Sequence, residues 1–208
     1  IDEEDNILFY DSIKNESITY GEIWKIICRY NFFFNKKYNK NDYVISCIDN
    51  SSKTINLFLC FSTFGYNYLP LGSDTTKEEF VRYIGSYKPK HVIVSNSTNV
   101  SLINYLNKSK IRIIDIDKIN LKSKNISLKS LNNKSKLILN TSGTSGEPKK
   151  IVLDINRLWS SGKAFIKHYK FLNNDMTIVN YLPMNYLGGL FNLCLIPIAC
   201  RSKIVLTE

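Results

Sequence analysis

Residues 141–149 combine the side-chain types that hold phosphate groups in proteins. They read Thr-Ser-Gly-Thr-Ser-Gly-Glu-Pro-Lys and follow directly on the apolar run 137–139. Gly143 and Gly146 lack a Cβ, so their backbone N–H groups can approach an anion closely. Four hydroxyl side chains can donate to phosphate oxygens: Thr141, Ser142, Thr144 and Ser145. Lys149 adds a compact positive charge, so the spacing predicts a phosphate-binding loop after a buried strand.

Two better-known nucleotide-binding patterns do not fit this loop. A Walker A loop needs Gly-x4-Gly-Lys-Ser/Thr, whereas the residue five positions after Gly143 is Pro148. No Gly-x-Gly-x-x-Gly opens a helix here, so the dinucleotide-binding pattern is also excluded. By composition alone, a solvated turn between two strands stays open as an alternative.

The order of residues in the loop resembles the phosphate-loop signature of the adenylate-forming superfamily, Thr-Ser-Gly-Thr-Thr-Gly-x-Pro-Lys-Gly. That superfamily contains acyl-CoA synthetases, luciferases and peptide-synthetase adenylation domains. Ser145 replaces the second Thr of the Thr-Thr pair, and Lys150 replaces the final Gly. Residues 181–190, Tyr-Leu-Pro-Met-Asn-Tyr-Leu-Gly-Gly-Leu, resemble the next signature of the family, with Tyr186 at the position of its usual His. The stretch 64–80 resembles a third, so the resemblance spans nearly the whole chain.

The predicted elements alternate along the chain. The pattern predicts helices at 17–35, 53–64, 77–86, 99–106 and 154–169, the last with Asp154 as N-cap. It predicts strands at 43–48, 66–71, 91–95, 111–116, 136–140 and 150–153. This alternation predicts an α/β fold with doubly wound, mostly parallel sheets flanked by helices, as in the N-terminal part of the large adenylate-forming domain. We expect a first α/β lobe at 1–119, a connector at 120–136 and a phosphate-loop lobe at 137–208.

The resemblance implies a chemistry and a set of site residues. Adenylate-forming enzymes bind ATP and a carboxylic acid, form an acyl-adenylate, release pyrophosphate and pass the acyl group to a thiol of coenzyme A or of a phosphopantetheine-bearing acyl carrier protein. It implies that the β- and γ-phosphates lie against Thr141, Ser142, Gly143, Thr144, Ser145 and Gly146. Lys149 would hold the departing pyrophosphate, which makes it the catalytic candidate, and Thr144 is the candidate for contact with Mg²⁺.

Substrate contacts are implied at Tyr186, Gly188 and Gly189. Tyr186 offers an aromatic face and a hydroxyl, but it cannot copy the acid–base chemistry of imidazole. A pocket wall or an ordinary core residue is an equal interpretation of this tyrosine.

Three signature parts of the family do not occur in the 208 residues: a Tyr-Gly-x-Thr-Glu segment, a ribose-binding Asp and a lysine on a mobile C-terminal domain. The resemblance therefore predicts an N-terminal fragment that is inactive without the missing C-terminal part of the enzyme. Two alternatives stay open. One is a naturally short, non-catalytic relative that binds nucleotide or a partner protein, and the other is an unrelated α/β phosphate-binding protein.

Composition narrows the remaining classes. The net charge is +10, but the lysines are scattered and no Arg-rich stripe or aromatic RNA motif appears, so we expect no nucleic-acid partner. The uncharged stretch 182–200 is interrupted by Pro183, Gly188 and Pro197 among others, which predicts a buried helix with an adjoining strand rather than a membrane span. Five cysteines without paired metal spacing and no secretory signal predict reduced thiols in the cytoplasm.

Overall fold

The computed structural model describes residues 3–12, 14–40, 42–85, 87–121, 134–141, 149–170 and 172–207. The strands within these ranges are β1 (Ile7–Asp11), β2 (Glu16–Thr19), β3 (Tyr43–Ile48), β4 (Asn67–Gly72), β5 (His91–Val94), β6 (Arg112–Asp115), β7 (Lys136–Thr141), β8 (Lys149–Asp154), β9 (Thr177–Asn180) and β10 (Lys203–Leu206). The α-helices are α1 (Tyr20–Phe34), α2 (Ser52–Phe64), α3 (Lys77–Ile84), α4 (Val100–Lys108), α5 (Ile155–His168) and α6 (Ile196–Ala199). A π-helical segment, Gly188–Leu195, runs directly into α6.

A six-stranded sheet in the order β6-β5-β3-β4-β7-β8 forms the larger layer. Its first five strands are parallel, and β8 returns antiparallel to β7. Alternate residues of β3 face opposite sides, because side chains alternate along a strand. Val44 and Ile48 belong to the core formed with α1 and α2, whereas Ile45 and Cys47 belong to the core formed with α3 and α4. Helices therefore cover both faces, and the predicted doubly wound α/β fold is confirmed.

Local sequence signals set the ends of several helices. Thr19 and Glu22 form a capping box at the start of α1, and Thr76 and Glu79 form another at the start of α3. The Arg157 N–H donates to the Asp154 side chain at 3.0 Å, so the predicted N-cap of α5 is confirmed. Gly65 caps the C-terminal end of α2, and its φ of 86° is the left-handed conformation that glycine adopts without strain.

A four-stranded sheet in the order β2-β1-β10-β9 forms the smaller layer. The strands predicted from the sequence do not include β1, β2 or β9. Residues 17–19 were expected to open the first helix, but they end β2, and Thr19 caps the helix that follows. The prediction was wrong there because β2 exists through its antiparallel pairing with β1. β1 in turn pairs with β10, as in Phe9 beside Ile204, a partner far away in sequence.

Each sheet takes strands from both sides of the predicted connector 120–136. β7 pairs with β4 in the larger sheet, and β10 pairs with β1 in the smaller one. Residues 122–133 lie outside the described residues, so the division into three parts stays a prediction. No helix in the described ranges is long and apolar enough to cross a membrane.

All five cysteines are free thiols, and four of the five are buried. Cys28, Cys47 and Cys60 are buried within α1, β3 and α2. Burial raises the pKa of each of these thiols, which keeps them in the unreactive protonated form at neutral pH.

Candidate functional site

The carboxyl ends of β3, β4 and β7 meet at one edge of the larger sheet, because the three strands run parallel. Tyr68 of β4 lies beside Leu137 of β7, which places the end of β7 next to the end of β4. β7 ends at Thr141, and its antiparallel partner β8 begins at the directly opposite residue, Lys149. The predicted phosphate loop therefore leaves and re-enters the sheet at its carboxyl edge, where open α/β sheets bind their ligands.

Most residues of the predicted phosphate loop lie outside the part of the chain that the structure describes. Ser142, Gly143, Thr144, Ser145 and Gly146 lie outside the described residues, together with the remaining positions up to 148. Their roles toward phosphate, and that of Thr144 toward Mg²⁺, stay predictions. The structure describes only the two strand residues that flank the loop.

The loop exit is attached to α3 through Lys150. The Lys150 Nζ lies 4.4 Å from the centre of the Tyr87 ring and donates to the Ile84 carbonyl oxygen at 3.4 Å. It also fills the space beside Gly85, where an added Cβ would stand 2.6 Å from it. The lysine that replaces the signature's final glycine is thus engaged with the C-terminal end of α3, while the neighbouring Lys149 side chain is exposed.

A buried carboxamide stands immediately before the loop. Asn140 is 8% exposed, and neither polar atom of its side chain has a hydrogen-bond partner within the described chain. Leaving such a group unpaired costs about 1–3 kcal/mol. Asn140 lies opposite Lys150 in the β7–β8 pairing, so it shares the α3 side of the sheet with that lysine. A donor and an acceptor held in this position suit a polar ligand group that arrives at the loop.

A cleft of about 230 Å³ opens at the same edge. Its lining comes from the ends of β3 and β4, the turn that follows β4, the start of α2, α3 and the second signature at 181–190: Ile48, Asp49, Asn50, Thr54, Pro70, Leu71, Gly72, Ser73, Asp74, Thr75, Glu79, Tyr83, Pro183, Met184, Asn185 and Tyr186. Tyr186 therefore lines a cleft and is 51% exposed, which fits a pocket wall better than a core residue. Gly188 and Gly189 are not among the lining residues.

The second signature is fastened to the sheet by buried contacts. The Met184 N–H donates to the Asn50 Oδ1 at 3.0 Å, which ties this segment to the end of β3. Gly189 is buried, and a Cβ there would clash with the Pro183 carbonyl oxygen and lie 2.6 Å from that of Leu182. The structure thus gives Gly189 a packing role, and its predicted contact with substrate stays a prediction, as does that of Gly188.

The cleft is lined by acidic and hydroxyl groups. Asp49, Asp74 and Glu79 line it, and Glu79 already accepts the Thr76 N–H at 2.9 Å. Burial, reinforced by the nearby Glu79, raises the pKa of Tyr83, so its hydroxyl stays protonated at neutral pH. Tyr83 can therefore donate a hydrogen bond into the cleft.

Lys53, at the start of α2, is engaged in an ion pair. It pairs with Asp117, whose other carboxylate oxygen accepts the Asn96 N–H at 2.7 Å. Burial, with a smaller contribution from Lys14, lowers the pKa of Lys53. No group of three or more His, Cys, Asp or Glu side chains is arranged to hold a metal ion within the described ranges.

Sequence reasoning missed the residues of the cleft that come from outside the signatures. Asn50 follows β3 and Tyr83 lies in α3, and neither belongs to the signature stretches 64–80, 141–149 and 181–190. The available signal was positional, since polar residues directly after a parallel strand face the ligand edge of the sheet.

Comparison with known proteins gives the chain a family and a fold. The family model described as "AMP-binding enzyme" matches residues 3–208. No curated protein matches the chain. Among solved structures, ATP-bound MatB from Rhodopseudomonas palustris is similar, with a TM-score of 0.83 at 20% identity over 99% of this chain and 42% of MatB.

Two further structures share the fold. The o-succinylbenzoate CoA synthetase MenE from Bacillus subtilis, bound to a product analogue, has a TM-score of 0.79 at 14% identity, over 98% of this chain and 42% of MenE. The N-terminal subdomain of Klebsiella oxytoca NpsA, in complex with 3-hydroxyanthranilyl-AMSN, has a TM-score of 0.75 at 16% identity, over 98% of this chain and 50% of the other. The chain thus spans less than half the length of MatB and MenE.

Proposed function

Since this chain belongs to the AMP-binding enzyme family, we propose that it supplies the phosphate-binding part of an ATP-dependent ligase that activates a carboxylic acid as an acyl-adenylate. The acyl group then passes to a thiol, either of coenzyme A or of a phosphopantetheine-bearing carrier protein. The observation that carries the proposal is the pairing of Thr141 with Lys149 at the carboxyl edge of the parallel strands, directly beside the cleft. Similarity in fold to ATP-bound MatB and to a CoA synthetase supports it.

The reaction brings together two anions, the carboxylate and the triphosphate. The carboxylate oxygen attacks the α-phosphorus, the bond to the β-phosphate bridging oxygen breaks, and pyrophosphate leaves. The barrier falls mainly through positioning and charge neutralisation. In this proposal Lys149 stabilises the negative charge that develops on the pyrophosphate, and the loop residues 141–146 hold the β- and γ-phosphates through backbone N–H and hydroxyl groups.

The remaining roles follow from position. Tyr186, which lines the cleft, contacts the acyl substrate. Substrate contacts at Gly188 and Gly189, which do not line the cleft, belong to the same proposal. Thr144 is the candidate for holding Mg²⁺, an ion that would neutralise phosphate charge. Asn140 meets a polar group at the loop when nucleotide is bound. The arrangement of free thiols supports a cytoplasmic location.

We further propose that the 208 residues do not complete adenylation by themselves, because they correspond to only 42% of the MatB chain. The division into 1–119, 120–136 and 137–208 belongs to the same proposal. The missing chemistry would come from the part of the enzyme that corresponds to the remainder of MatB.

ATP binding tests the phosphate site. In equilibrium dialysis, Lys149→Ala should weaken ATP binding by the 208 residues about tenfold, which corresponds to about 1.4 kcal/mol. The matched control is Lys163→Ala, since Lys163 is an exposed lysine on α5 away from the cleft. Equal affinity of the two variants would overturn the assignment of Lys149.

Pyrophosphate exchange tests the reaction. The full-length gene product should catalyse exchange between pyrophosphate and ATP in the presence of the right acid from a panel, and the 208 residues alone should not. Exchange by the 208 residues would refute their dependence on further sequence. ATP binding without exchange by the full-length protein, with any acid tested, would favour the alternative of a non-catalytic nucleotide-binding relative.

A further inference from the structure

A basic and aromatic stripe lies on α1, at the edge of the sheet opposite to the cleft. Arg29, Phe32, Phe33, Lys36 and Lys37 stand at positions i, i+3, i+4, i+7 and i+8. Arg29, Phe32 and Phe33 lie within α1, where this spacing places them on one side of the helix, and Lys36 and Lys37 follow its end. Together with Asn120 they line a second cleft of about 320 Å³. We call these six residues the α1 stripe.

The cations of the α1 stripe are arranged over aromatic rings. The Lys36 Nζ lies 4.5 Å from the centre of the Phe32 ring, and the Lys37 Nζ lies 4.8 Å from that of Phe33. Both rings are partly buried, and both line the cleft. The two ammonium groups are held against these rings, at the same cleft.

No acidic side chain neutralises this charge in the described part of the chain. The cleft lining contains no Asp or Glu, and none of Arg29, Lys36 and Lys37 forms an ion pair there. Attraction to the negative end of the helix dipole explains why positive charge at Lys36 and Lys37, just after the C-terminal end of α1, is favourable. It does not account for Arg29, which lies more than one turn before the end of the helix.

The stripe is too far from the candidate site to take part in the reaction. Tyr38, just beyond α1, packs on His91 at the amino end of β5, with ring centres 5.4 Å apart. Val92 lies beside Ile45 in the sheet, so His91 is level with Val44, and the first cleft begins at Ile48, four residues further along β3. Four strand residues span roughly 13 Å, which is beyond direct contact. An occupant of the α1 stripe is therefore a ligand in its own right.

We propose that the α1 stripe binds a soluble phosphorylated small molecule that carries a planar or apolar group. Three cations that form no ion pair in the described chain suit the phosphate, and the exposed parts of the two phenyl rings suit the apolar group. A cleft of about 320 Å³ is within the size range of ligand pockets, which favours a small molecule over a flat membrane surface. The site goes beyond the proposed ligase reaction and does not depend on it.

The probe for this site is 1-naphthyl phosphate, an aromatic phosphate monoester, titrated into the 208-residue chain by calorimetry. We expect saturable binding of one molecule, with amide chemical shifts of residues 29–37 changing in NMR spectra. Neutral 1-naphthol and inorganic phosphate should each bind at least about tenfold more weakly, because each lacks one half of the match.

Matched variants separate this site from the phosphate loop and from general charge. Lys36→Gln combined with Lys37→Gln should weaken binding about tenfold, and Arg29→Gln should do the same. Lys163→Gln combined with Lys167→Gln removes the same charge from exposed positions on α5 and should change nothing. Lys149→Gln should also leave this binding intact, whatever it does to ATP.

Three outcomes would overturn the proposal. One is an equal loss of affinity in the α5 control, which would mean non-specific attraction to a basic surface. Another is loss of binding in Lys149→Gln, which would place the probe at the phosphate loop. The third is absence of naphthyl phosphate binding together with binding to phosphatidylserine vesicles that requires Lys36 and Lys37, which would make the stripe a membrane contact.

Discussion

The two signature segments at the carboxyl edge of the larger sheet are held in opposite ways. The β7–β8 hairpin depends on backbone pairing, and five of the six residues of β8 are exposed. The segment that contains Met184 and Gly189 depends on buried contacts with β3 and with its own backbone carbonyls. Exposed positions of β8 should therefore tolerate substitution at little cost in stability, whereas the second signature ties the shape of the cleft to the stability of the fold.

The strongest test of this difference is Gly189→Ala. We expect the free energy of unfolding to fall by about 3 kcal/mol, since the added methyl group meets backbone atoms that cannot move aside. Urea denaturation of the 208-residue chain measures it. The control is Gly188→Ala, whose methyl would lie 3.2 Å from the flexible Leu182 Cδ1, and we expect a loss of less than about 1 kcal/mol. Equal losses at the two positions would remove the packing argument for Gly189.

The link between β3 and the second signature is tested by Asn50→Ala. Removal of the amide oxygen leaves the Met184 N–H without its acceptor, and Met184 is 1% exposed, so we expect a loss of about 2 kcal/mol. The control is Asn192→Ala, at an exposed position eight residues after Met184, which should change the free energy of unfolding by less than about 0.5 kcal/mol. A similar small effect at Asn50 would show that the segment is held by packing alone.

Asn140→Leu should act in the opposite direction. It removes two buried polar atoms that lack partners in the described chain and should raise the free energy of unfolding by about 1 kcal/mol. Under the proposed function it should also weaken ATP binding, measured by equilibrium dialysis. Asn67→Leu is the matched control: the Asn67 Oδ1 accepts the Lys136 N–H at 3.0 Å, so this variant should be destabilised. Destabilisation of both variants would mean that Asn140 is bonded in the folded chain.

The smallest effect is expected at the loop exit. Lys150→Gln removes the contact with the Tyr87 ring at an exposed position, so we expect a loss of about 0.5 kcal/mol in thermal or urea unfolding. Lys136→Gln, at the other end of the same hairpin, should have no measurable effect. A loss above about 2 kcal/mol at Lys150 would contradict the view that the hairpin is held by its backbone.

Much of the larger sheet could be predicted, and the reason is local. Buried parallel strands such as β3 and β7 read as short apolar runs, and capping residues such as Asp154 act within three positions of themselves. The smaller sheet was harder. β1 and β9 contain residues that favour strands, but short segments do not reveal that both pair with β10.

The sequence by itself determined the chemistry available at the loop and the order of strands and helices that brings it to a ligand edge. These depend on residue types and on neighbours a few positions apart. Only the tertiary structure decided that Tyr186 shares a cleft with Asn50 and Tyr83, that Lys150 contacts α3, and that Asn120 shares a cleft with the basic residues at the end of α1. Those facts concern distances through space between segments far apart in sequence, and packing of the whole domain sets them.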